Sequence, residues 1–153
     1  MRRGRPADDR MAQIGEGALE QNKLVVRYRD GRTLRGQTAD FVPTRPSFHL
    51  LPTDPTGARC GQVVEIQVVD LKALFFVKDF VGNPAYVEAK EFAARTTPGR
   101  KIRVEFLDGE ILVGTTMGYQ AGRPGFFVIP ADPGSNNERC FVVAGAVRTV
   151  TLL

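Results

Sequence analysis

KLVVRYRDGRTLRGQTADFVPTRPSFHLLP runs from Lys23 to Pro52. KIRVEFLDGEILVGTTMGYQAGRPGFFVIP, Lys101 to Pro130, aligns with it at an offset of 78 residues without a gap, and 11 of the 30 positions are identical. Other positions exchange like for like: Leu24 with Ile102, Tyr28 with Phe106, Phe41 with Tyr119. Self-similarity of this kind reads as an internal duplication. The match weakens further on, where Arg59-Cys60 answers Arg139-Cys140 and each copy closes on a mostly apolar stretch.

Within each copy the pattern is that of strands. Leu24, Val26 and Tyr28 alternate with Val25, Arg27 and Arg29, the period of two that puts one set of side chains on one face. Asp30-Gly31 and Asp108-Gly109 follow such runs, and Asp-Gly between alternating runs predicts a tight hairpin. Gly36 and Gly114 fall mid-strand, where glycine marks a bulge or bend. Pro46 and Pro124 stand at the entrance of a third strand, a position that suits a residue without an N–H. Phe48 and Phe126 then point inward. Five strands per copy predict an all-β protein of two small five-stranded barrels, residues 23–77 and 101–153. Residues 1–22 read as a loose arm. Residues 78–100 read as a connector with a short helix over Glu88–Arg95.

The totals narrow the function. A chain of 153 residues makes one ordinary domain or two very small ones. Hydrophobic residues at 42% and charged residues at 25% are a globular balance. No apolar run approaches the length of a membrane span. MRRGRPADDR lacks the apolar segment of a secretory signal, so a cytoplasmic location is expected. Cys60, Cys140 and the single His49 cannot assemble a zinc site, and two free thiols are expected. No cofactor is expected.

The tandem pattern V-x-[YF]-x-D-G-x-x-L-x-G resembles the first half of Sm-like or SH3-like barrels, and Val142–Val150 resembles a closing strand pair. Residues 23–153, with the run Asp70–Val77 and Ser135–Arg139, also resemble an uncharacterised bacterial family of unknown function. The resemblance implies a fold. The loop positions that bind RNA in Sm-like proteins hold Pro43-Thr44-Arg45-Pro46 and Ala121-Gly122-Arg123-Pro124 here, so only the fold is transferred.

Charge is uneven. Residues 23–77 carry eight Lys or Arg against five Asp or Glu, whereas residues 101–153 carry five of each. Arg27, Arg29, Arg32 and Arg35 share one hairpin and form a candidate phosphate surface. The competing reading is a solvated hairpin whose charges protect an exposed edge. Arg45 and Arg123 recur in both copies, as guanidinium forks for an anionic group or as caps bonded to loop carbonyls or to Asp40. His49 replaces Phe127 at a strand position where a ring packs. No nucleophile–base pair, phosphate loop or metal set stands out. The motifs of a cyclic-dinucleotide-binding PilZ barrel are missing, which leaves an anionic small ligand as a minor alternative. The expectation is a non-enzymatic module that recognises a protein partner, with nucleic-acid binding through the basic hairpin as the alternative. Self-association is compatible with either.

Overall fold

The computed structural model describes residues 22–78, 99–132 and 134–153. The first element of each half is amphipathic. β1 (Asn22–Tyr28) buries Leu24 and Val26 and turns Lys23 outward. β6 (Arg100–Phe106) buries Ile102, Val104 and Phe106 and exposes Lys101 and Arg103. β2 (Thr33–Thr38) and β3 (Ser47–Pro52) follow in the first half, β7 (Ile111–Thr116) and β8 (Gly125–Pro130) in the second. β4 (Val64–Gln67) and β5 (Leu71–Val77) flank a 3-10 turn at Val68–Asp70. β9 (Asn137–Val143) and β10 (Val147–Leu152) flank another at Ala144–Ala146.

The Asp-Gly hairpins form, with a longer turn than a two-residue loop. The Gly31 N–H donates to the Tyr28 carbonyl at 3.1 Å and Tyr28 N–H to the Arg32 carbonyl at 2.9 Å. Gly31 closes the turn at φ 97°, where a Cβ is disfavoured. Asp30 stabilises it by accepting the Arg32 N–H at 3.0 Å. Gly36 and Gly114 permit a close approach. A Cβ would lie 2.4 Å from the Leu51 carbonyl oxygen at the first and 2.0 Å from that of Ile129 at the second. β2–β3 and β7–β8 keep only two paired positions each at these points.

The strands form one open antiparallel sheet in the order β10-β6-β7-β8-β9-β5-β1-β2-β3-β4. This corrects the expectation that residues 23–77 and 101–153 each close into an Sm-like or SH3-like barrel. Closing the first half would require β5 to meet β4. Instead β5 lies between β1 and β9, with Leu74 opposite both Val26 and Phe141. The physical reason is in its composition. All seven residues of LKALFFV are buried, so the strand needs cover on both faces and both edges. Its alternation divides the core. Leu74 and Phe76 pack with Leu24, Val26, Phe48 and Leu50. Ala73, Phe75 and Val77 pack with Ile102, Val104, Phe126 and Val128. β9 reciprocates, sending Phe141 and Val143 into the first group and Cys140 and Val142 into the second. The 30-residue match at an offset of 78 is therefore a match of sequence and local register, not of two closed barrels.

The expected arm up to residue 21 and the expected helix Glu88–Arg95 lie outside the described residues. Among the described residues, no helix is long and apolar enough to cross a membrane.

Candidate functional site

Two 3-10 turns meet where the halves join. The 3-10 turn before β5 is anchored by Val68 N–H on the Pro46 carbonyl at 2.9 Å, and the turn before β10 by Ala144 N–H on the Pro124 carbonyl at 2.9 Å. Each Arg-Pro pair thus leads directly into a strand whose neighbour ends in one of these turns. Between them lies a cavity of about 370 Å³. Pro46, Val68, Val69, Pro124, Val143 and Ala144 give it an apolar lining.

Arg29 and Arg45 stand on this lining. Arg29 leaves the β1–β2 turn, where its backbone N–H donates to the Asp70 carbonyl at 3.1 Å. Its guanidinium lies against Gly145, where a Cβ would come within 1.9 Å of Nη2. Gly145 is thus the space that admits Arg29, a role no sequence pattern announced. Neither Arg29 nor Arg45 forms an ion pair with a carboxylate among the described residues. Asp40 does not serve Arg45. It accepts the His49 N–H at 2.9 Å, lies 2.8 Å from His49 Nδ1 and takes the Thr38 hydroxyl at 3.1 Å. Partial burial pushes the Asp40 carboxyl up, but the His49 N–H, the His49 ring and the Thr38 hydroxyl together outweigh it and hold it below its ordinary value.

The other proposed arginines are dispersed. Arg27 lies 3.8 Å from Glu110 and over the Phe75 ring at 5.6 Å. Arg32 is held by Asp30 at 2.8 Å and stacks on Tyr28 at 4.2 Å. Arg35 sits half-buried on β2, opposite Val25. Arg123 lines a separate cavity of about 250 Å³ in the second half, beside Tyr119, Phe126 and Arg148. Arg27 and Arg32 are thus engaged by carboxylates while Arg29 stands on the cleft, and Arg45 and Arg123 line different cavities. His49 is exposed and paired with Asp40, whereas Phe127 packs among Phe41, Phe76 and Phe141 at the join.

One charged group was hidden by its neighbours in the sequence. Lys72 is 5% exposed. Its ammonium bonds Asp108 at 2.7 Å, also pairs with Glu110, and lies 4.8 Å from the centre of the Phe106 ring. Asp108, beyond its turn role of accepting the Glu110 N–H at 3.0 Å, thereby ties the second half's hairpin to β5. The Lys72 ammonium, followed by the Glu110 N–H, holds the Asp108 carboxyl below its ordinary value. Among the described residues, no group of three or more His, Cys, Asp or Glu is placed to hold a metal ion.

No curated protein and no solved structure matches the chain. A family of unknown function, DUF6982, matches residues 21–153, and that span of the sequence makes this chain a member of DUF6982.

Proposed function

We propose that the chain is a non-enzymatic cytoplasmic binding or regulatory module that docks a protein segment in the cleft between its halves. The observation that carries this reading is the apolar cleft of about 370 Å³ with Arg29 and Arg45 on its lining and no carboxylate paired to either among the described residues. An apolar floor with a few fixed polar groups is the ordinary character of a recognition site. Guanidiniums bind carboxylates in a bidentate fork. The segment that fits is apolar with an acidic side chain or a free C-terminal carboxylate. The nucleic-acid alternative has less support, because Arg27 and Arg32 are already engaged by Glu110 and Asp30.

A photo-crosslinking residue at Val69, which is exposed on the cleft lining, tests the reading against one at Met117, exposed elsewhere. Discrete protein adducts from position 69, absent from position 117 and lost with Arg29→Glu and Arg45→Glu, are expected. Equal labelling from both positions counts against the cleft. Steeply salt-dependent binding of short RNA or DNA that requires Arg27 and Arg32 would favour the alternative.

A further inference from the structure

Among the described residues, β4 and β10 are the two end strands of the sheet, each with one edge unpaired. Soluble proteins usually blunt such edges with charge, proline or bulges. Here each end strand carries one exposed charge, Glu65 on β4 and Arg148 on β10, and apolar side chains also stand in solvent beside them. Val63 and Val64 are 50% and 37% exposed at one end, and Leu152 and Leu153 are 38% and 60% exposed at the other.

The molecule itself contains the joint that such edges make. β4 lies on β3 with Phe48 opposite Ile66, as β9 lies on β8 with Phe126 opposite Val142. β5 lies on β1 with Leu24 opposite Phe76, as β10 lies on β6 with Ile102 opposite Leu152. In the middle of the sheet β9 and β5 pair with each other. β4 and β10 are the same two kinds of edge, unpaired among the described residues.

A second observation concerns what fills that joint. Phe141 and Phe127 of the second half pack on Phe41 of the first, with ring centres 5.1 and 6.4 Å apart. The corresponding place beside Tyr119 in the second half is the cavity of about 250 Å³. Arg123 and Arg148 line it. β4 bears Glu65 opposite His49, in the position where β9 bears Phe141 opposite Phe127. Arg148 is already held by Glu105 at 3.5 Å and by the Leu107 carbonyl at 3.0 Å, so the strand that matches the cavity presents its carboxylate to Arg123.

We propose that β4 of one chain pairs antiparallel with β10 of a second copy, in the register of the β5–β9 pair. Ala73 opposite Val142, Phe75 opposite Cys140 and Phe76 opposite Arg139 define that register. Carried over, it sets Thr149 opposite Ile66, Val150 opposite Glu65, Thr151 opposite Val64 and Leu152 opposite Val63 of the second copy, and so puts Glu65 at the cavity that Tyr119 and Arg123 line. The contact joins unlike surfaces, so it is heterologous, and every chain offers one of each. Assembly therefore continues beyond a dimer, into a ring or an open array.

The test uses the full chain and two edge variants: Val63→Asp with Val64→Asp, and Thr151→Asp with Leu152→Asp. All four positions are exposed, and each variant's circular dichroism is compared with the parent's. Sedimentation velocity is expected to show an oligomer larger than a dimer for the parent and a monomer for each variant alone. An equimolar mixture of the variants is expected to form a dimer containing one of each, since only one intact edge of each kind remains. That heterodimer also shows both variants to be folded. A parent that stays monomeric over its soluble concentration range overturns the proposal. So does a variant that self-associates, which would mean like edges pair, or a mixture that stays monomeric.

Discussion

Phe141→Ala probes the join between the halves. Phe141 lies on β9, yet it is 1% exposed inside the core built by β1, β3 and β5. Its ring meets Phe41 at 5.1 Å and Phe127 at 5.2 Å, both edge-on. Truncating a buried Phe to Ala costs about 3–5 kcal/mol. The edge-on ring contacts place this site toward the upper end of that range, since each is worth about 0.5–1.5 kcal/mol beyond burial. With a urea dependence of about 2 kcal/mol per molar, a loss of about 4 kcal/mol moves the midpoint down by about 2 M. Urea unfolding should be followed by tyrosine fluorescence and by far-ultraviolet circular dichroism. One coincident transition is expected for the parent and the variant, because a side chain of one half is core of the other. Two separated transitions, or a shift below about 0.5 M, would refute the claim that the halves share a core.

Lys72 and its partners should respond unequally. Lys72→Met removes a buried charge whose partners Asp108 and Glu110 are exposed enough to rehydrate, so the change in urea stability is expected to stay within about 1 kcal/mol. Asp108→Asn with Glu110→Gln strands the buried ammonium and is expected to cost about 3–5 kcal/mol. In acid, Asp108 and Asp40 contribute stability that is fully present above the ordinary carboxyl value of 3.8, because their folded values lie below it. Thermal melts should therefore lose stability as pH falls from about 3.8 through those lower values, and a profile that does not change there would contradict the pairing. Gly114→Ala should cost more than about 2 kcal/mol by urea melt, because its Cβ meets a backbone oxygen that cannot swing away. Native protein should show one fast-reacting thiol with an aromatic disulfide, Cys60, while Cys140 reacts only on unfolding.

The strands were readable because each carries its period in its own residues. Leu24, Val26 and Tyr28, or Ile102, Val104 and Phe106, need no knowledge of a neighbour. The Asp-Gly turns and the Arg-Pro entrances are equally local. Who pairs with whom is not local, and that is where closure was misread. LKALFFV held the decisive clue, since a strand with solvent on one side would alternate and this one does not. The pairing of Arg59-Cys60 with Arg139-Cys140 also misled. The ladders put Val64 opposite Leu50 and Cys140 opposite Val128, so exposed Cys60 and buried Cys140 are not counterparts. The arginines were named as residues, but which of them share a cleft was not visible in the sequence. Which of them meet depends on turns brought together by the β5–β9 pair, and the room for Arg29 depends on Gly145, a residue silent in the sequence.

The central position of β5 also sets the order of events in folding. β1–β2–β3 and β6–β7–β8 can each zip from a short turn. The β5–β9 ladder must bring together ends separated by the whole of β6, β7 and β8, a late step with a large entropy of closure. Until β9 arrives, β5 has one bare edge and an uncovered row of Ala73, Phe75 and Val77. A β9 from another chain satisfies that edge equally well. Refolding at high concentration should therefore divert part of the material into strand-exchanged dimers, kinetically trapped and distinct from any edge-to-edge assembly, and dilute refolding should suppress them.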